Sequence, residues 1–158
     1  MSVRPVRRVD LDRVIEIDAQ ETGLEKRNYW LRVYRRHGVA GAREQSHFLV
    51  ALVDGRVRGF AIGEVRDWEF GSPPCGWVFA IGVDPQARQS GTGALLLATL
   101  ATHFRRDGVH KMRTLLARDN TLVLSFFRSQ GMMAAPLIPL ELDLPPAAPN
   151  NNTAGRAA

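Results

Sequence analysis

The sequence predicts an α/β (α+β) domain in which a mixed central sheet of about six to seven strands is flanked by four helices. Three observations carry this prediction. Apolar runs of period 2 and apolar stripes at helical spacing succeed one another along the chain. Two of the runs meet at Asp54-Gly55, a strong hairpin signal that makes part of the sheet antiparallel. Finally, a buried-looking strand passes through a glycine-containing loop into a long amphipathic helix between Gly76 and Asp107.

Val3 to Arg7 alternates apolar and basic residues and reads as a first strand. Asp10 then suits the cap of a helix running to about Gln20, with Leu11, Val14, Ile15 and Asp18 at helical spacing. Leu24 to His37 carries Tyr29, Trp30, Val33 and Tyr34 at the same spacing, with Gly38 as a stop. Phe48 to Val53 and Arg56 to Arg66 form the hairpin strands. After a loop holding Gly71, Pro73 and Pro74, Gly76 to Val83 is the next strand, and Gly82 signals a bulge or a close approach. Gly91 to about Asp107 is a helix with Leu96, Leu97, Leu100, Ala101 and Phe104 on its apolar side. A short strand at Lys111 to Leu116 and a helix at Asn120 to Gln130 follow, the helix carrying Leu122, Val123, Phe126 and Phe127 on one side. Leu137 to Leu144 reads as a last strand, which Pro139 confines to an edge. From Pro145 no large apolar side chain anchors the chain, so residues 145–158 are expected to form a disordered tail behind a domain of residues 1–144.

A chain of 158 residues with 45% hydrophobic and 23% charged content suits one core. No apolar run is long enough for a membrane helix, and the segment holding Arg4, Arg7 and Arg8 is not followed by a leader-like apolar stretch, so a cytoplasmic location is expected. Cys75 is the single cysteine, which excludes an intrachain disulfide; His37, His47, His103 and His110 lack the pairing that metal sites favour, and no metal is expected. The net charge of +5 rests on arginine, since Lys26 and Lys111 are the only lysines. The arginines are dispersed and do not interleave with aromatics, which argues against a nucleic-acid partner and leaves a solvated basic surface or a phosphate-bearing ligand.

The segment Val83-Asp84-Pro85-Gln86-Ala87-Arg88-Gln89-Ser90-Gly91-Thr92-Gly93 joins the strand to the long helix. The first turn of a helix offers unpaired amides and the positive end of its dipole, and glycines let the backbone approach a ligand closely. Amides from about Gln89 to Gly93, with charge from Arg88, would therefore cradle a pyrophosphate. A turn that merely connects strand to helix accounts for the glycines equally well. No Gly-Lys-Ser/Thr closes the loop and no third glycine follows, so nucleoside-triphosphate and dinucleotide loops fit worse.

Val83 to Gly93 resembles the acyl-CoA signature of the GNAT acetyltransferase superfamily, Arg/Gln-x-x-Gly-x-Gly/Ala after a strand ending in Val-x-Pro, and the element order agrees over residues 3–144. Asn120, Val123, Phe127 and Gly131-Met132 stand where that family commonly has Asn, Ala, Tyr and Gly-Phe. The resemblance implies a GNAT-like acyl-CoA N-acyltransferase fold, acetyl-CoA as co-substrate, and direct transfer of the acetyl group to an amine of a small molecule or peptide. It implies CoA contacts from Ile81, Gly82 and Val83 on the strand, from Arg88, Gln89, Ser90, Gly91, Thr92 and Gly93 in the loop, and from Asn120 and Phe127 in the later helix. Asn120 is equally a plain helix N-cap. A homodimer is compatible with the family.

The pattern departs from the family at two points. Phe127 has no hydroxyl where the family often has a tyrosine to protonate the departing thiolate; with a thiol pKa of about 8.5 the reaction is slowed rather than forbidden. The strand from Trp77 to Val83 has no carboxylate, and Glu64, grouped by strand alternation with Phe60 and Ile62, is the candidate general base, against an ordinary strand-end surface charge. Asp67 and Glu69 are candidates for selecting a cationic acceptor, and Tyr29 and Tyr34 suit packing or the acceptor wall. These departures keep a second function open, a non-catalytic acyl-CoA-binding sensor or regulatory module.

Overall fold

A computed structural model describes residues 1–149; the rest of the expected tail, residues 150–158, lies outside the described residues. The strands β1 (Ser2–Pro5), β2 (Ser46–Val53), β3 (Arg56–Arg66), β4 (Cys75–Val83) and β5 (Met112–Thr114) form one sheet in sequence order. The first four are antiparallel and β5 runs parallel to β4, so the sheet is mixed. The helices are α1 (Leu11–Thr22), α2 (Arg27–Val33), α3 (Thr92–Arg106) and α4 (Thr121–Ser129). The β2–β3 hairpin turns at Asp54 and Gly55 with φ of 50° and 74°, the doubly left-handed turn that matches strand twist.

Among the described residues the sheet has five strands rather than six to seven. Leu137 to Leu144 forms no strand: Pro139 removes a backbone donor, and Ile138 to Leu144 lie exposed. No helix among the described residues is long and apolar enough to cross a membrane.

Strand alternation divides the core between the two faces of the sheet. Phe48 and Val50 of β2, with Phe60 and Ile62 of β3, pack against Leu11, Val14, Ile15 and Ile17 of α1 and Trp30 of α2. Leu49, Ala51 and Ala61 point the other way, onto Leu96, Leu97, Leu100 and Phe104 of α3 and Phe127 of α4. Each fully buried leucine or isoleucine contributes about 1.5–3 kcal/mol. Trp30 is held in register by Nε1 donating to Asp18 Oδ2 at 2.9 Å. Asp10 precedes α1 as expected, but its carboxylate caps no helical amide. It accepts instead from the Arg7 amide at 2.7 Å and pairs with Arg4.

Two irregularities of β4 shape the molecule. Ile62 pairs with Ala80 and Gly63 with Val78, so the bulge is at Phe79 and not at Gly82. Gly82 serves the alternative role, a close approach: a Cβ there would meet the Phe60 ring at 2.6 Å. The second irregularity is that β5 pairs only with Gly76, Trp77 and Val78. Beyond them, Phe79 to Val83 keep β3 on one side and have no strand on the other among the described residues.

Candidate functional site

The turn after β4 is anchored by Asp84, which is 1% exposed. Its Oδ1 accepts from the Gln86 amide at 3.0 Å, and its Oδ2 accepts from Arg58 Nη1 at 2.6 Å and from Arg13 Nη2. Burial alone would raise this carboxyl, but the Arg58 and Gln86 hydrogen bonds and the charges of Arg13 and Arg58 outweigh it and hold it below the usual carboxylate value. The Ala87 amide then donates to the Asp84 carbonyl at 2.8 Å, which fixes where the chain leaves the strand.

From Arg88 the backbone turns so that its amides face outward. Gln89 and Gly91 have φ of 66° and 82°, and Gly91 is the N-cap of α3. At such a φ a Cβ is penalised, which is the physical reason for glycine there. The Ser90 hydroxyl turns inward, donating to the Ala87 carbonyl at 2.5 Å and standing 2.7 Å from Thr92 Oγ1. The amides of Gln89, Gly91, Thr92, Gly93 and Ala94 have no acceptor among the described residues. They gather at the positive end of a helix of 15 residues, where unpaired amides and the helix dipole together favour an anion.

These amides open into a cleft of about 480 Å³ between the free edge of β4 and α4. Of the residues expected to hold a cofactor, Ile81, Val83, Arg88, Gln89, Gly91, Thr92 and Gly93 line it, and Leu122, Val123 and Phe126 form the far wall. Gly82 backs onto Phe60, and Ser90 braces the loop from behind. Phe127 is 4% exposed and packs with the α3 core, so Phe126, one helical step away, presents its ring to the cleft in its place. A Cβ on Gly93 would come within 3.1 Å of that ring, so the glycine lets loop and wall close on each other. Asn120 is the N-cap of α4, its Oδ1 accepting from the Val123 amide at 3.2 Å. The apolar side of α4 was readable as a stripe, but which of two adjacent phenylalanines faces the core depends on how the helix is rotated against α3.

Glu64 is 1% exposed, not a surface charge. Arg43 Nε stands 2.7 Å from its Oε2, Arg66 Nη2 stands 3.0 Å from its Oε1, and His37 Nδ1 is 3.7 Å away. None of these donors is aligned for a hydrogen bond, and both carboxylate oxygens are buried without one among the described residues. His37 Nδ1 is 2.7 Å from Ser46 Oγ. Burial holds His37 below the ordinary imidazole value; the pull of Glu64 opposes this, and the charges of Arg36, Arg43 and Arg66 reinforce it. The Phe79 ring lies 5.9 Å from His37 and 4.9 Å under the Arg66 guanidinium. This polar group therefore lies at the β4 bulge, where the open edge begins, on the sheet face away from α3. Sequence reasoning missed His37, whose proximity to Glu64 comes from the π-helical turn Tyr34–Gly38 after α2. Glu69 is paired with Arg66 at 2.8 Å, Tyr29 stacks edge-on against Trp30, and Tyr34 packs on the α1–α2 core.

A family model described as "Acetyltransferase (GNAT) family" matches residues 11–132. A mycothiol acetyltransferase of Kocuria rhizophila is 32% identical over 87 residues, which are 53% of this chain and 29% of that protein. An L-2,4-diaminobutyric acid acetyltransferase of Nocardia farcinica is 35% identical over 79 residues, 50% of this chain and 39% of that one. The matched segments thus span well under half the length of these curated relatives. Among solved structures, the aminoglycoside 6'-N-acetyltransferase AAC(6')-Ig of Acinetobacter haemolyticus matches with a TM-score of 0.74 at 18% identity, covering 92% of this chain and 100% of that one. AAC(6')-Iy in complex with CoA matches with a TM-score of 0.77 at 20% identity over 90% of this chain and 93% of that one. With most of the chain matched by the family model and the fold shared with these enzymes, the chain belongs to the GNAT acetyltransferase family.

Proposed function

We propose that this protein is an N-acetyltransferase that takes the acetyl group of acetyl-CoA and transfers it directly to the amine of a small molecule. The observation that carries the proposal is the set of unpaired amides from Gln89 to Ala94 at the mouth of an apolar cleft walled by the free edge of β4. Those amides and Arg88 fit a pyrophosphate; Ile81, Val83 and Phe126 fit the thin, amide-bearing arm that would follow it. When bound, the co-substrate supplies an activated thioester. The protein's share is to hold it in line, to exclude water with Leu122, Val123 and Phe126, and to receive the proton that the amine gives up. Glu64 and His37, beside the Phe79 bulge, are the groups we assign to that proton. Amine acceptors follow the names of the relatives, which act on amino-bearing metabolites and antibiotics, and a cytoplasmic setting follows from the supply of acetyl-CoA. The test is release of free thiol from acetyl-CoA across a panel of diamines, amino sugars and aminoglycosides. Turnover with at least one amine is expected; none, with acetyl-CoA still bound, would overturn the catalytic assignment.

That last outcome would favour a non-catalytic acyl-CoA-binding module. Two observations speak for it: Phe127 carries no hydroxyl and lies in the core, and Glu64 is already paired with two arginines.

A further inference from the structure

We propose that the acceptor amine carries an oxyanion, a carboxylate or a phosphate, and that Arg43, backed by Arg66, selects for it. This rests on the acetyl transfer proposed above and adds the charge of the molecule that receives the group. The charges that bear on His37 are those of Glu64 and of Arg36, Arg43 and Arg66, three cations to one anion. His37 itself lies below the ordinary imidazole value, chiefly through burial, so it is neutral near pH 7 and adds no charge. Of the two acids that the sequence offers to a cationic acceptor, Glu69 is taken up by Arg66 Nη1 at 2.8 Å, and Asp67 lies exposed without an ion pair among the described residues. Even with Glu69 counted, cations exceed anions around the groups assigned to the proton. A second ammonium on the acceptor would add to that surplus, whereas an oxyanion cancels it.

Donors are also left over. Arg43 turns its Nε to Glu64 at 2.7 Å, but its side chain is 42% exposed and neither Nη has a hydrogen bond among the described residues. Arg66 Nε is buried without an acceptor. A planar guanidinium fork with free N–H groups matches the paired oxygens of a carboxylate or phosphate. The positions suit one small molecule: His37 and Arg66 both lie against the Phe79 ring, at 5.9 Å and 4.9 Å. An amine at His37 and Glu64 therefore has its oxyanion within reach of the arginines when only a few bonds separate the two.

These arginines are not a second part of the anion cradle. A Cβ on Gly63 would point at the Phe104 ring of α3, so Glu64 and Arg66 face the other side of the sheet. Phe79 also stands four strand steps, about 13 Å, before Val83, and the cradle begins only beyond that residue. The surplus of positive charge thus belongs to the acceptor and not to the co-substrate.

Matched amines test this by thiol release from acetyl-CoA: L-ornithine against 1,4-diaminobutane, which differ only in the carboxylate, and phosphoethanolamine against ethanolamine, which differ only in the phosphate. In at least one pair the anionic member should have a kcat/KM about tenfold higher, mainly through KM, and that pair identifies the oxyanion. The members without an anion should still turn over, more slowly. Arg43→Gln should abolish the ratio, and Arg36→Gln, at an exposed position, should narrow it, both without change in acetyl-CoA affinity and with folding checked by circular dichroism. The ratio is the readout because a general loss of activity leaves it unmoved. Equal rates within both pairs, faster rates for the members without an anion, or a ratio unmoved in the folded variants would overturn the proposal. If no amine releases thiol although acetyl-CoA binds, the transferase reading fails by itself. Calorimetry of the same pairs on the CoA-loaded chain then reads the preference, and equal binding within both pairs would overturn it separately.

Discussion

Gly91 holds the loop open at φ 82° with nothing within 4 Å of where a side chain would begin. Gly91→Val therefore costs about 1–2 kcal/mol of backbone strain without a clash, while its methyl groups stand among the free amides. Acetyl-CoA affinity should fall steeply and thermal stability only slightly, as calorimetry and melting on the same sample would show. Gly82→Ala is the opposite case. Its Cβ would meet the Phe60 ring at 2.6 Å, so stability should drop by about 1–3 kcal/mol in denaturant titration. Glu64→Gln leaves Arg43 and Arg66 facing a neutral amide. Removing one partner of a buried ion pair costs about 3–5 kcal/mol, and the partial exposure of both arginines puts this site at or below the low end. If Glu64 also takes the amine proton, kcat should fall with the KM for acetyl-CoA unchanged; an unaltered kcat in the folded variant would leave it a purely structural ion.

At the scale of the elements, α4 presents Phe126 to the cleft only while its N-terminus is fixed. Asn120→Ala removes the bond to the Val123 amide and should cost about 1 kcal/mol; a concurrent loss of acetyl-CoA affinity larger than that would assign Asn120 to the ligand as well as the cap. The local elements were legible in the sequence because their signals are local: Asp54-Gly55 for the hairpin, the stripe of Leu96, Leu97, Leu100 and Phe104 for α3, and the glycines at its start. What was not legible depends on distant partners. The bulge fell at Phe79 and not Gly82 because pairing with β3 sets it. Glu64 looked like a strand-end charge until Arg43 and His37 were brought over it from separate segments. Leu137 to Leu144 has the alternation of a strand, but alternation cannot supply the neighbouring edge that a strand needs.

At the scale of the whole molecule, His37, His103, Asp10 and Asp84 all respond to acid in one direction. His37 and His103 lie below their ordinary value of 6.5, burial being the main cause for both, with repulsion from His47 and Arg106 adding to it at His103. The unfolded chain then takes up protons first, so this contribution to stability is complete above about pH 6.5 and is lost as pH falls through the folded values. Asp10 and Asp84 lie below 3.8 despite burial, held there by Arg4 and by Arg58 with Arg13, and their contribution is lost only in more acid solution. Denaturant titrations at about pH 7.5 and pH 5.5 should show the higher stability at the higher pH, with a smaller difference in His37→Asn/His103→Asn. The proposed function rests on the pyrophosphate of acetyl-CoA lying against the amides of Gln89 to Ala94. The most direct test is calorimetric titration of the native chain and Gly91→Val with acetyl-CoA: the account predicts saturable binding by the native chain that the folded variant loses, and it is contradicted if the native chain gives no binding heat or the variant binds as tightly.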